Sequence, residues 1–440
     1  MAMATTSLLR TAAGPARWTL LEAPSRSFSS SSAACAAKKG APKVQQKRKT
    51  PIRKSAGSSG PRSPRRGQTK SAGVHEGLSK TNPFVKPVAD MSFLATLLPE
   101  QATEANVGQV MAWSERTLEA TRIQGFGLTR EMAREFKRQP RPRTLLRPQS
   151  LRLFNHLDSS VEGATGQTTL LQGPLGAGAS TLLLQAVSYA LESDWLVVYI
   201  PRGINLVDSS SPFIYSSSMQ TYVQPEASRA LLGRILSVNG ADKLREIPVD
   251  EGSSSSSSSL ADVIKQALGE QQQPAALQRT LETALRTLVQ QRQRPLLLCL
   301  DGAQAYFSTT KYRDADYRRL QAYELGLTRT VLSCMRTQGA GSFGGVQRGL
   351  ALAAPSPQHA EWWPWTLSDD THRLHHAEAA FARLDIGRHF TNDEAASLFD
   401  VARRELNRGP EAINDESYLA RLATSGASLS VFERSLNVQQ

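Results

Sequence analysis

Residues 173–178 carry glycine at three of six positions, in the run Gly173-Pro174-Leu175-Gly176-Ala177-Gly178-Ala179-Ser180. Glycines this dense mark backbone conformations that other residues avoid, so the run must be a tight turn. The apolar stretch Thr168–Gln172 precedes it. Thr181–Ser193 follows, with apolar residues at helical spacing. A strand, a glycine turn and a helix need a parallel partner strand to complete the unit. Three further apolar runs supply candidates: Trp195–Ile200, Pro295–Leu300 ended by Asp301, and GLALAA within Val346–Ala354. They are continuous rather than alternating, which predicts an α/β fold with a parallel sheet covered by helices on both faces.

The glycine turn has the chemistry of a phosphate cradle. Gly173, Gly176 and Gly178 let backbone N–H groups turn inward, and a helix N-terminus adds about half a positive charge. Ser180 offers a hydroxyl to Mg²⁺, and Asp301, at the end of an apolar strand, can hold the same ion through water. The loop departs from the phosphate-binding pattern at Ala179, where a lysine belongs. Losing one charge-assisted contact costs on the order of 1.5–3 kcal/mol, or roughly 10–150-fold in affinity. Gly302 stands where hydrolysing relatives of this architecture place a glutamate. Both departures argue against efficient turnover, and no catalytic residue is assigned. From these residues alone, a plain strand-to-helix turn in a Rossmann-like sheet remains the alternative to a purine nucleotide site.

Charge is distributed unevenly. The chain has 52 Lys/Arg and 39 Asp/Glu, yet residues 1–80 hold sixteen of the former and only Glu22 and Glu76 of the latter. The remainder is near neutral. Residues 1–28 are Arg-rich, Ser-rich and acid-poor, as mitochondrial transit peptides are, and Arg26-Ser27-Phe28 predicts cleavage after Phe28. Residues 29–80 are dominated by Lys, Arg, Pro, Gly and Ser and predict a disordered basic arm suited to RNA phosphates. No run approaches the ~18 apolar residues of a membrane span. Cys35, Cys299 and Cys334 are far apart, which speaks against a disulfide framework.

Several blocks together resemble the death-associated protein family of the mitochondrial ribosome. They are Phe126-Gly127-Leu128, the loop at 173–181, Trp195–Pro201 with Tyr222 and Gln224-Pro225, and Leu300–Asp314. The resemblance implies an additional-strand, AAA-like P-loop NTPase fold with a C-terminal helical lid. It also implies a structural role in the small ribosomal subunit, beside its rRNA and proteins and facing the large-subunit bridges, in the mitochondrial matrix. A bound guanine nucleotide, GTP or GDP with Mg²⁺, is implied too. It assigns phosphate contacts to Gly173, Gly176, Gly178, Ser180 and Thr181, with Ala179 among them at the lysine position, and the metal side to Ser180 and Asp301. The alternative is a working matrix NTPase acting on nucleic acid or protein assemblies; a basic-tailed adaptor on the inner membrane is a third reading.

The expected organisation is a transit peptide (1–28), the basic arm (29–80), an extension (81–150), the P-loop NTPase-like domain (151–370) and a helical subdomain (371–440). Ser253–Ser259 predicts a flexible insertion within 251–259. Met111–Glu119 and Arg130–Lys137 predict helices in the extension. Arg138, Arg141, Arg143 and Arg147, interleaved with prolines, form either a second RNA contact or an extended strap. Strands are expected to stop beyond Trp365, giving way to helices at 392–407, 416–424 and 427–436, the first capped by Thr391 or Asn392. His372, His375 and His376 read as a solvated segment rather than a metal site. Trp362, Trp363 and Trp365 read as core or interface.

Overall fold

The computed structural model describes residues 90–437 except for short internal stretches, the longest being 250–257, 363–380 and 406–413. The transit peptide, the basic arm, Ser253–Ser257, the three clustered histidines, Trp363 and Trp365 lie outside the described residues. Among those described, no helix is long and apolar enough to cross a membrane.

Five parallel strands form the central sheet: β1 (Thr168–Gln172), β2 (Leu196–Ile200), β3 (Leu296–Asp301), β4 (Gly349–Ala354) and β5 (Phe381–Asp385). Their spatial order is β5-β1-β4-β3-β2. Strand β4 is thus inserted between the strand leading into the glycine turn and the strand ending in Asp301, which is the additional-strand arrangement. Register is continuous, with Leu196 and Gly349 both opposite Leu296, and Ala354 opposite Asp301.

The labelled helices are α1 (Arg130–Arg138), α2 (Pro148–Glu162), α3 (Ala179–Glu192), α4 (Pro225–Asn239), α5 (Leu260–Gly269), α6 (Pro274–Gln290), α7 (Gly326–Met335), α8 (Asn392–Glu405), α9 (Asp415–Ser425) and α10 (Leu429–Asn437). Period-two alternation sorts the strand side chains between them. Leu196, Val198, Leu296, Leu298 and Leu300 pack with α4–α7, whereas Val197, Tyr199, Leu297 and Cys299 pack with α2 and α3. Both faces are apolar because both are covered. Cys299 and Cys334 are buried free thiols in these clusters. A third cluster joins Met91, Leu94, Val110, Ala112 and Leu145 to α8 and α10, so the segment before the sheet packs on the helices after it.

The structure corrects three expectations. Met111–Glu119 is not one helix: Val110–Ala112 is a strand antiparallel to Arg143–Leu145, and a helix starts only at Glu115. The cause is Ser114, whose hydroxyl accepts from the Thr117 N–H at 3.2 Å and caps that start. Strands do not stop at Trp365, because β5 pairs with β1 along its whole length. The serine run is not wholly irregular, since Ser258–Ser259 pairs with Pro248–Val249. The Arg/Pro segment proves to be a strap. Arg143 is paired with Glu405 at 2.5 Å, Arg147 with Glu394 at 3.4 Å, and Arg141 donates to the Met91 carbonyl at 3.1 Å.

Candidate functional site: a cleft at the glycine loop

The turn between β1 and α3 opens into a cleft of about 510 Å³ at the carboxyl end of the sheet. Ligand sites of open parallel sheets lie at this end. Gly176 and Gly178 adopt φ +79° and +94°, in the left-handed region. Gly178 is the N-cap of α3 and brings no side chain to it, so no side chain caps the first-turn N–H groups of Ala179, Ser180 and Thr181. Ala179 is packed against the core beneath. The lid implied by the resemblance has a physical counterpart: a Cβ on Gly176 would lie 2.4 Å from the Ser430 hydroxyl of α10 and 2.9 Å from that of Ser428. Only glycine lets these serines approach the loop.

Asp301 lines the same cleft and is 4% exposed. Burial pushes its carboxyl up to about 6, while the Ser180 hydroxyl and the Gly302 N–H draw it down. Its Oδ2 has no hydrogen-bond partner. A buried carboxylate oxygen without a donor, beside a serine hydroxyl at a helix N-terminus, is a donor pair compatible with a hydrated Mg²⁺. The sequence-assigned residues Gly173, Gly176, Gly178, Ala179, Ser180, Thr181 and Asp301 all line this one cleft. No group of three or more His, Cys, Asp or Glu able to hold a metal exists among the described residues.

The raised Asp301 carboxyl makes stability depend on pH. Between about pH 4 and 6 the folded chain keeps a proton that the unfolded chain has released, so stability falls as pH rises through that window. The step is about 3 kcal/mol at ~1.4 kcal/mol per pH unit. Asp301→Asn keeps an acceptor for Ser180 and Gly302 but removes the ionisation. Urea unfolding at pH 4.5 and 7.5, without divalent cations, should show a drop in the variant smaller than the wild type's by about 2 kcal/mol.

Sequence reasoning missed the cations of the cleft. Arg147 donates from Nη1 to the Ala177 carbonyl at 3.2 Å and pins the loop from below. Lys311 is held by Glu361 at 3.5 Å and lies over the Trp362 ring. Arg202, immediately after β2 and Pro201, donates from Nε to the Leu128 carbonyl at 2.7 Å. Arg130 opens α1, two residues after Leu128, and lines the same cleft. On the lid side, burial and the neighbouring Glu135 push the Glu433 carboxyl up to about 7. The visible signals were Arg147 in the Arg/Pro strap, whose tie to the glycine loop the sequence does not show, and an arginine directly after the WLVVYIP run.

Comparison with known proteins finds relatives of this chain. Two relatives are each described as "Small ribosomal subunit protein mS29". That of Neurospora crassa is 27% identical over 289 residues, covering 61% of this chain and 57% of its own length. That of Schizosaccharomyces pombe is 23% identical over 246 residues, covering 54% and 50%. The chain therefore spans about half the length of the curated relatives it matches. The profile of the family described as "Mitochondrial ribosomal death-associated protein 3" matches residues 144–382, from the strap strand into β5, with the glycine loop and Asp301 inside the match. With more than half of its residues matched, the chain belongs to the mitochondrial ribosomal death-associated protein 3 family.

Proposed function

We propose that this protein is a structural component of the small subunit of the mitochondrial ribosome. Its cleft holds a guanine nucleotide with Mg²⁺ as a fixed ligand rather than as fuel. The observation that carries this reading is the family match over a phosphate cradle that has lost two working parts, the lysine at Ala179 and the glutamate at Gly302. A turnover site concentrates positive charge where the transition state needs it. A cradle with an uncharged residue at that point can still bind through backbone N–H groups. Ser180 and Asp301 would hold the ion, and the N–H groups from Gly176 to Thr181 the phosphates. Residues 1–28 direct the chain to the matrix and are removed after Phe28, and the basic arm that follows neutralises ribosomal RNA phosphates. Large-subunit bridge contacts belong to the same reading.

The test is to isolate mitochondrial ribosomes, wash them with salt and run them on gradients. The protein should co-sediment with the small subunit in about stoichiometric amount, and guanine nucleotide should be extracted from the same fraction. A mature protein that stays free of ribosomes and hydrolyses nucleotide with saturable kinetics overturns the proposal in favour of a working NTPase.

A further inference from the structure

We infer that Arg202 and Arg130 supply the positive charge that the glycine loop lacks, and so make the cleft a site for the terminal phosphates of a nucleoside di- or triphosphate. The inference rests on the nucleotide reading above and assigns it two residues.

The two arginines come from separate parts of the chain. Arg130 is the first residue of α1, and Arg202 follows β2, the strand next to the one ending in Asp301. The chain after Arg202 runs against that strand end, since a Cβ on Gly203 would lie 2.7 Å from the Asp301 carbonyl oxygen. The backbone next to Arg202 therefore lies against the strand end that carries Asp301, and both residues line the same cleft. Its Nε bond to Leu128 fixes the near edge of the guanidinium.

Of the other cleft cations, Arg143, Arg147 and Lys311 are each matched to a carboxylate, Glu405, Glu394 and Glu361, while Arg134 of α1 adds a further positive charge to the lining. Neither Arg130 nor Arg202 has a carboxylate partner among the described residues. They also repel one another: burial and the Arg130 charge both lower the Arg202 pKa. Two like charges brought together at a concave site, without a counter-ion, are relieved by an anion. The guanidinium fork suits phosphate oxygens and stays charged at any working pH. A lysine from the loop and an arginine from across the cleft can do the same electrostatic work. A site served from across the cleft tolerates alanine at position 179.

The test uses the full chain with Mg²⁺ and GTP, GDP or GMP, read by calorimetry. The wild type should bind GTP and GDP at least tenfold more tightly than GMP. Arg202→Gln and Arg130→Gln should each lower GTP affinity about tenfold or more and leave GMP affinity within about twofold. Arg202→Lys should retain most of the preference. Ala179→Lys should add little to the wild type but restore GTP binding to Arg202→Gln. Arg130→Gln guards against a folding artefact, because the Arg202 tie to Leu128 is intact in it. A double Arg130→Gln/Arg202→Gln variant that melts like the wild type and keeps its full preference for GTP over GMP sinks the inference while sparing the nucleotide reading. A wild type that binds none of the three nucleotides overturns both.

Discussion

Gly349→Ala is expected to leave little or no folded protein. Gly349 begins β4, which is flanked by β1 and β3, and it has φ +112°. A Cβ there would lie 2.1 Å from the Leu296 carbonyl oxygen and 2.6 Å from the Leu296 nitrogen. Both atoms are backbone and neither can step aside, because the Leu296 N–H already donates to the Arg348 carbonyl at 2.9 Å. The smallest side chain must therefore push β4 away from β3 at the middle of the sheet. It would also hold a conformation L-residues avoid. The expected loss exceeds about 4 kcal/mol, in the exceptional tail of single substitutions. That is a large part of the 5–15 kcal/mol that stabilises an ordinary domain. Soluble yield and urea midpoint are the measurements. Gly233→Ala is the control. Gly233 lies within α4, where the nearest atom to an added Cβ is a Leu268 methyl at 4.0 Å. There alanine should stabilise by up to about 1 kcal/mol, as helix propensity dictates. A Gly349→Ala protein with a wild-type midpoint would show that β4 does not approach β3 as closely as described.

Gly349 also illustrates what the sequence makes visible and what it hides. β2, β3 and β4 announce themselves as apolar runs because both faces of the sheet are covered, and α3 announces itself by its spacing after the glycine turn. β5 does not. Its five residues, Phe381-Ala-Arg-Leu-Asp385, lie at the sheet edge with partly exposed side chains and contain two charges. No run of apolar residues marks such a strand; it exists because β1 offers it a ladder. The helix read over Met111–Glu119 failed for a related reason. Val110–Ala112 pairs with Arg143–Leu145 some thirty residues away, and a local pattern cannot report a distant partner. The cleft divides in the same manner. Gly173 to Thr181 and Asp301 were legible because each has a motif position and a strand to place it. Arg130, Arg202 and Glu433 were not, since their meaning comes from proximity between α1, the end of β2 and α10. Thr391 lies between these cases. It was legible as a cap, and its hydroxyl does accept from the Glu394 N–H at 3.2 Å. That Glu394 also answers an arginine far away in the chain was not.

That pair yields the second large effect. Arg147→Met should destabilise the protein by about 3–5 kcal/mol and weaken nucleotide binding with it. Arg147 and Glu394 are almost fully enclosed, with side chains 8% and 3% exposed, and their Nε–Oε1 separation is 3.4 Å. The Glu394 Oε2 is simultaneously engaged by the Thr391 N–H at 2.8 Å, completing a capping box at the start of α8. Removing the guanidinium strands a buried carboxylate, which is the costly way to break such a pair. It also releases the Ala177 carbonyl that Arg147 holds from beneath, and with it the inner edge of the glycine loop. The two consequences separate in a double variant. Glu394→Gln preserves the cap, because an amide oxygen still accepts from Thr391, and it eliminates the stranded charge. Arg147→Met/Glu394→Gln should therefore regain at least 1–2 kcal/mol over Arg147→Met alone. Its nucleotide affinity should stay low, since nothing restores the tie to Ala177. Equal stability of the single and double variants would mean that the charge of Glu394 is solvated in the absence of Arg147. The strap would then hold the loop by shape rather than by its ion pair.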